Sequence, residues 1–381
     1  MKILWINEKA SFTGGCERYI HDVARLIRPQ GFSSWLMYDH NDPSDPDFTT
    51  IFDGAFPIVN IDSQIAAIKP DLIYIHRLSN LNHLRSILKC GIPAVRFYHD
   101  HKLFCLREHK YFTIGNKTCT HRIGRRCYSC LGFFQRTPAW PGFRLVFLSA
   151  LMEELKENRR LSAYIVGSQY MADHLALHGF NRSRIHRIPL FVVPPVSFTA
   201  EQRSDSILFA GQLIRGKGVD ILLKAVSICR EKKELILIGS GRMENEYRLM
   251  AENLGISSRV KFLGKKTATE LQEYYRRCSF VVFPSRSPET FGLVGLEAMS
   301  AETPVIASAV GGYAEWMMPE ETGIAVPSND PAALAAAMDR LSADPQLRER
   351  FGKAGREHYL KNFQPENHIK TLCNLFNSNL R

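Results

Sequence analysis

The chain has 381 residues, 45% hydrophobic and 23% charged, with 49 Lys and Arg against 38 Asp and Glu for a net charge of +11. That balance belongs to a globular protein of two or three domains and excludes a disordered or fibrous chain. No stretch of about 18 mainly apolar, uncharged residues occurs, so no spanning helix is expected. The opening run MKILWIN meets Glu8 too early for an export signal, which makes the cytoplasm the expected address, and an odd count of 9 cysteines argues against a disulfide framework.

The N-terminal half alternates short apolar runs with helical spacing. Ile3–Ile6 reads as a buried strand leading into the loop Ser11-Phe12-Thr13-Gly14-Gly15, after which Tyr19, Ile20, Val23, Ala24 and Ile27 repeat with the period of a helix. Ser34–Tyr38, Leu72–Ile75, Ala94–Tyr98 and Ala163–Val166 read as further strands, with helices over Asn80–Lys89 and Gln169–Leu177. Residues 101–141 break this rhythm. They are basic, aromatic and cysteine-bearing, and too long for a plain connection, so they read as a functional insertion or lid, followed by a helix over Phe143–Asn158.

Three prolines in the uncharged run Ile188–Val196 mark a linker. The alternation then restarts. Strands are expected at Ser206–Ala210, Glu234–Ile238, Val260–Leu263, Phe280–Phe283, Pro304–Ala307 and Gly323–Val326, with helices over Val219–Cys229, Asn245–Asn253, Ala268–Arg276, Gly292–Met299 and Pro331–Leu341. A last helical pattern covers Glu366–Leu380. The fold class is therefore α/β, with two tandem doubly wound, Rossmann-like domains over 1–190 and 197–365. Ligands in such sheets bind at the carboxyl ends of the strands, so paired domains are expected to define a cleft.

The charge is uneven. Met1–Pro195 holds 25 basic and 16 acidic residues, a net of +9, whereas Val196–Arg381 holds 24 and 22. Lys102–Arg136 alone carries 8 basic residues and one acid, Glu108. A field of one sign suits an anionic partner: a phosphorylated substrate, an anionic membrane surface or nucleic acid. Its plain alternative is a solvated basic face.

The sharpest chemical signal is Pro284-Ser-Arg-Ser-Pro-Glu289-Thr-Phe-Gly292-Leu293-Val-Gly-Leu-Glu297. A strand ends at Phe283, a loop carries Glu289, and a helix opens near Gly292, where unpaired N–H groups suit a phosphate. Glu297 falls on an apolar helix face, where an unpaired carboxylate is expensive, so a partner is expected. A ribose hydroxyl pair would serve. The plain alternative is a helix cap at Glu289 and a buried salt bridge at Glu297.

The Glu289 and Glu297 pair, seven residues between them, resembles the signature of retaining glycosyltransferases of GT-B fold, in their large fourth sequence family. Other segments agree in the same order: Thr13-Gly14-Gly15-Cys16-Glu17-Arg18, Phe209-Ala-Gly211-Gln212-Leu-Ile-Arg215-Gly-Lys217-Gly218-Val-Asp220, Ile236-Leu-Ile-Gly239-Ser-Gly241, Thr303–Ala307 and Gly311–Glu315. The resemblance implies that Glu289 holds donor-sugar hydroxyls, Glu297 the ribose, and Lys217 the leaving diphosphate. Gly14, Gly15, Gln212, Arg215, Gly239, Gly292 and Leu293 complete the donor site. Gln212 stands where the family has an arginine, leaving nearby Arg215 as the substitute cation. His99, at the end of a strand, is expected near the transferred sugar, with His76 a weaker candidate. Residues 366–381 are expected to form a helix returning to the N-terminal, acceptor-side domain. Catalysis is expected to need no metal or other cofactor.

The closest resemblance within the family is to bacterial surface-polysaccharide mannosyltransferases, such as those of O-antigen and lipopolysaccharide synthesis. It implies GDP-mannose as donor and a saccharide, or one linked to undecaprenyl diphosphate, as acceptor. A GT-B epimerase or phosphorylase is the alternative, and a basic nucleic-acid binder a further one, although no nucleic-acid partner is expected. Phe133, Phe134, Trp140, Phe143 and Phe147, beside Arg136 and Arg144, would suit peripheral contact with the cytoplasmic face of an inner membrane. Cys105, Cys119, Cys127 and Cys130 offer four ligands for a structural zinc.

Overall fold

The computed structural model describes residues 1–39, 43–112, 117–130, 132–136, 142–193 and 203–378. Trp140, the side chains of Arg136 and Arg144, and the linker's Pro194, Pro195 and Val196 lie outside the described set.

The chain divides into two compact units. The first contains β1 (Lys2–Asn7), α1 (Gly15–Ile27), β2 (Ser33–Asp39), α2 (Pro46–Thr49), β3 (Gly54–Ile58), α3 (Ile61–Ile68), β4 (Leu72–Ile75), α4 (Leu81–Lys89), β5 (Ala94–Phe97), β6 (Phe134–Arg136), β7 (Phe143–Leu145), α5 (Leu148–Asn158), β8 (Ala163–Val166), α6 (Gln169–Leu177) and β9 (Ile185–Arg187). Seven strands form one parallel sheet in the order β3-β2-β1-β4-β5-β8-β9, and β6 with β7 makes a separate antiparallel pair. β4 and β8 are uninterrupted apolar runs, and β1 and β5 are nearly so, broken by Lys2, Asn7 and Arg96, because helices cover both faces. α1 buries the stripe Tyr19, Ile20, Val23, Ala24 and Ile27 that its sequence period announces.

The second unit contains β10 (Ser206–Ala210), α7 (Val219–Ile228), β11 (Glu234–Ile238), α8 (Glu244–Asn253), β12 (Val260–Phe262), α9 (Ala268–Arg277), β13 (Phe280–Phe283), α10 (Leu293–Ser300), β14 (Val305–Ser308), β15 (Gly323–Val326), α11 (Pro331–Ala343) and α12 (Pro345–Asn362). Its sheet runs β12-β11-β10-β13-β14-β15, again all parallel. Thr267 and Glu270 close a reciprocal cap on α9, and Asp330 before Pro331 starts α11.

The final helix, α13 (Pro365–Asn377), belongs to the first unit. Its Phe376 packs edge-on against Tyr74. Its His368 donates from Nδ1 to the Pro189 carbonyl at 2.7 Å, so its Nε2 accepts from the Tyr19 hydroxyl at 2.9 Å.

Two details differ from the sequence expectations. Phe143–Leu145 is strand rather than helix, and α5 begins only at Leu148. The insertion is split: His109–Thr120 groups with the second unit, with Tyr111 and Thr118 bridged and Lys110 only 1% exposed. Cys105, Cys127 and Cys130 share the first unit, where the Cys130 thiol donates to the Cys127 carbonyl at 3.2 Å.

Candidate active site

Each sheet changes direction once, at β1/β4 in the first and β10/β13 in the second. Carboxyl ends at such switch points are where doubly wound sheets hold ligands, and the residues singled out from the sequence cluster there.

In the second unit, β10 ends at Ala210 and leads through Gly211 and the exposed Gln212 to a single helical turn at Arg215–Lys217. Gly218 closes that turn at φ 72°, and a Cβ there would stand 2.0 Å from the Pro284 carbonyl oxygen. Only glycine allows both the left-handed backbone and the contact. The loop after β13 is tied to the same turn: the N–H groups of Arg286 and Ser287 both donate to the Gly216 carbonyl at 2.9 Å. Lys217 and Glu289 meet as a result, with Lys217 Nζ 2.6 Å from Glu289 Oε1. The Ser285 hydroxyl donates to the same oxygen at 2.9 Å. The Glu289 carbonyl accepts from the Gly312 N–H at 2.7 Å, which fixes the loop from its other side.

Gly292 precedes α10 at φ 99° and provides no side-chain cap, so the first-turn N–H groups have no side-chain partner there. Leu293 is the first residue of that helix. One turn later, Glu297 Oε2 accepts from the Tyr275 hydroxyl at 2.7 Å. Burial, and next the Glu297 carboxylate, push the Tyr275 hydroxyl well above its ordinary range, so it remains a donor. Gly239, after β11, lies against the Gly211 backbone: a Cβ there would be 1.9 Å from its carbonyl oxygen. Arg215 is exposed.

Sequence reasoning missed Arg286, which is 2% exposed. Its guanidinium donates to the Arg215 carbonyl at 2.6 Å, to Asp220 at 2.7 Å and to Asn329 at 2.6 Å. It locks the Lys217 turn to the Glu289 loop. Its partners lie far away in sequence, so the only signal was a charge inside a loop that folds inward. Tyr111 was missed as well. Its ring lies 3.7 Å from where a Cβ on Gly216 would be.

In the first unit, Gly14 and Gly15 are exposed at the start of α1. Beyond them, Glu17 is fully buried. Its Oε1 accepts from Asn7 and pairs with Arg77, both at 3.4 Å, while its Oε2 has no hydrogen-bond partner. His99 stacks on Phe97 at 4.2 Å, and its Nε2 lies 2.8 Å from His76 Nδ1. Burial first, and then Arg77, bring the His99 imidazole down to about 3, so it is neutral across the physiological range. A neutral ring can exchange hydrogen bonds with a hydroxyl but brings no charge to a phosphate. Among the described residues, Cys16, His76 and His99 are gathered closely enough to ligate a metal.

Two family profiles cover most of the chain: Glycosyltransferase Family 4 over residues 13–194, and Glycosyl transferases group 1 over residues 197–358. The chain belongs to the group 1 glycosyltransferases of GT-B fold. A Rhizobium leguminosarum lipopolysaccharide core biosynthesis mannosyltransferase is 34% identical over 176 residues, 44% of this chain and 49% of that protein. A Streptomyces bingchenggensis D-inositol 3-phosphate glycosyltransferase is 39% identical over 168 residues, 41% and 36% of the two chains. The chain thus spans less than half the length of these relatives. Anabaena HepE, solved with UDP and glucose, shares the fold at a TM-score of 0.73 and 18% identity, covering 98% of this chain and 99% of its own.

Proposed function

We propose that the chain transfers a hexose from a nucleoside-diphosphate sugar to a saccharide acceptor, with retention of anomeric configuration. The observation that carries this reading is the Lys217–Glu289 pair at the carboxyl edge of β10 and β13, with Glu297 one helical turn beyond the open start of α10. A diphosphate would take Lys217 and the first-turn N–H groups of α10. The sugar hydroxyls would take Glu289, and the ribose would take Glu297. The ion pair seen without ligand is then replaced by two ligand contacts, and neither charge is left bare. Lys217 would stabilise the charge that builds on the leaving diphosphate. In the chemical step the acceptor oxygen bonds to the anomeric carbon as the bond from that carbon to the diphosphate breaks. The acceptor proton passes to the departing phosphate oxygen on the same face.

The Rhizobium relative's name favours mannose, so GDP-mannose is the first donor to test, with lipopolysaccharide or O-antigen synthesis as setting. A lipid-linked acceptor and peripheral membrane contact in the cytoplasm belong to the same proposal. Phe134, Phe143 and Phe147 are exposed, and among the described residues no helix is long and apolar enough to cross a membrane. The test is a thermal-shift panel of UDP- and GDP-sugars, followed by NMR of the anomeric signal in the product. An α-configured donor should give an α-linked product. A β-linked product, or a chain that no sugar nucleotide stabilises, would overturn the reading.

A further inference from the structure

The insertion builds a second feature, which the donor site does not use. His121–Arg126, α5, and the end of α6 line an open pocket of about 760 Å³ within the first unit. Four arginines line it, Arg122, Arg125, Arg126 and Arg159, and among the described residues no carboxylate does. Of the acids on α5 and α6, Glu153 pairs with Arg85, Glu157 with Arg160 and Asp173 with Arg182, while Glu154 lines a different pocket together with Arg96 and Lys102.

The pocket wall is fixed in place. The Ile123 N–H donates to His178 Nε2 at 3.0 Å, and His178 Nδ1 donates to the His174 carbonyl at 2.7 Å. That pattern holds His178 as the neutral tautomer, so it ties the insertion to α6 without adding charge. The Arg159 guanidinium lies against Gly179, its Cζ 3.3 Å from where a Cβ there would stand. Its Nε is buried with no hydrogen-bond partner. Four guanidinium groups lining one pocket give it a field of a single sign, which an anion would relieve. Planar guanidinium forks match phosphate oxygens in pairs.

Position separates this pocket from His99. Arg159 precedes β8 and Gly179 follows α6, which places both toward the amino edge of the first sheet. His99 follows β5 at the carboxyl edge. We propose that Arg122, Arg125, Arg126 and Arg159 form a binding site for a phosphoester or diphosphate group, on the opposite edge of the first sheet from His99. The source of that group is either a soluble phosphorylated saccharide or the phosphate of a lipid headgroup. The site stands whether or not the donor reading does.

The test uses the full chain, with Arg125→Gln/Arg126→Gln and, separately, Arg159→Gln. Inorganic pyrophosphate is titrated calorimetrically, and co-sedimentation is measured with phosphatidylcholine vesicles with and without phosphatidylglycerol. Each lost guanidinium should weaken binding about tenfold at low salt, while the thermal shift given by UDP stays as in the parent. Variant-sensitive pyrophosphate binding supports the site with a soluble source. Variant-sensitive binding only to phosphatidylglycerol vesicles supports it with a lipid source. Binding of neither probe overturns the proposal. So does a pyrophosphate signal undiminished in the variants, which would belong to the Lys217 turn. Arg125 and Arg126 are exposed, so the double variant decides the matter even if Arg159→Gln fails to fold.

Discussion

Replacing Lys217 with methionine separates the electrostatic role of this side chain from its packing. The lysine stem passes over the Phe283 ring, with Nζ 5.7 Å from its centroid, and methionine preserves most of that contact. Glu289 loses its ion-pair partner but retains the Ser285 hydroxyl at 2.9 Å. The side chains of Lys217 and Glu289 are 24% and 19% exposed, and a pair so placed contributes only about 1 kcal/mol to stability. Catalysis should suffer far more. A fixed donor aimed at developing charge is worth about 3–4 kcal/mol, or roughly a 10²–10³-fold loss of kcat when removed. Urea unfolding followed by circular dichroism gives the first quantity, and nucleoside-diphosphate release with acceptor present gives the second. A kcat within about threefold of the parent would refute the role assigned to Lys217. A stability loss above about 3 kcal/mol would refute the claim that the pair is not structural.

Three further outcomes are expected. Glu297→Gln keeps the Tyr275 hydrogen bond but weakens the grip on a ribose, so the donor KM should rise about tenfold with kcat little changed; an unchanged KM would remove Glu297 from the donor site. Gly218→Ala must drive a Cβ against the Pro284 carbonyl at φ 72°, and should cost about 3 kcal/mol in urea unfolding; a cost below about 1 kcal/mol would mean the turn relaxes freely. Mild acid should destabilise the first unit, because burial lowers His368 from 6.5 to about 4 and His99 to about 3. A depressed imidazole gives stability that is complete above the unfolded value and withdrawn as pH falls through the window beneath it. By pH 5.5 each of the two should have cost about 1.4 kcal/mol relative to pH 8, and a melting temperature independent of pH over that range would contradict their buried neutral state.

The repeating strands were legible because parallel strands buried on both faces are continuous apolar runs, as in Phe280–Phe283 and Ala163–Val166. Glu289 and Glu297 were legible because strand, loop and helix follow one another within a single short segment. What escaped the sequence depended on pairing across distance. β3 carries Pro57 and sits at the sheet edge, so its run Gly-Ala-Phe-Pro-Ile lacks the signal of a central strand. β9 is a three-residue edge strand. α12 was overlooked because most of its residues are polar and two glycines, Gly352 and Gly355, interrupt the buried stripe of Leu347, Phe351 and Tyr359. Arg286 and the His76–His99 contact become visible only once the strand order places their partners beside them. In the insertion the sequence drew attention to the cysteine spacing, whereas the shared pocket of Arg122, Arg125 and Arg126 is visible only once the segment is folded against α5 and α6.

The most direct test of the donor site is a crystal structure with a nucleoside-diphosphate sugar bound. The account predicts Lys217 Nζ within hydrogen-bond distance of a diphosphate oxygen, Glu289 on the sugar hydroxyls and Glu297 on the ribose. A ligand bound elsewhere, with the Lys217–Glu289 pair still closed on itself, would contradict it.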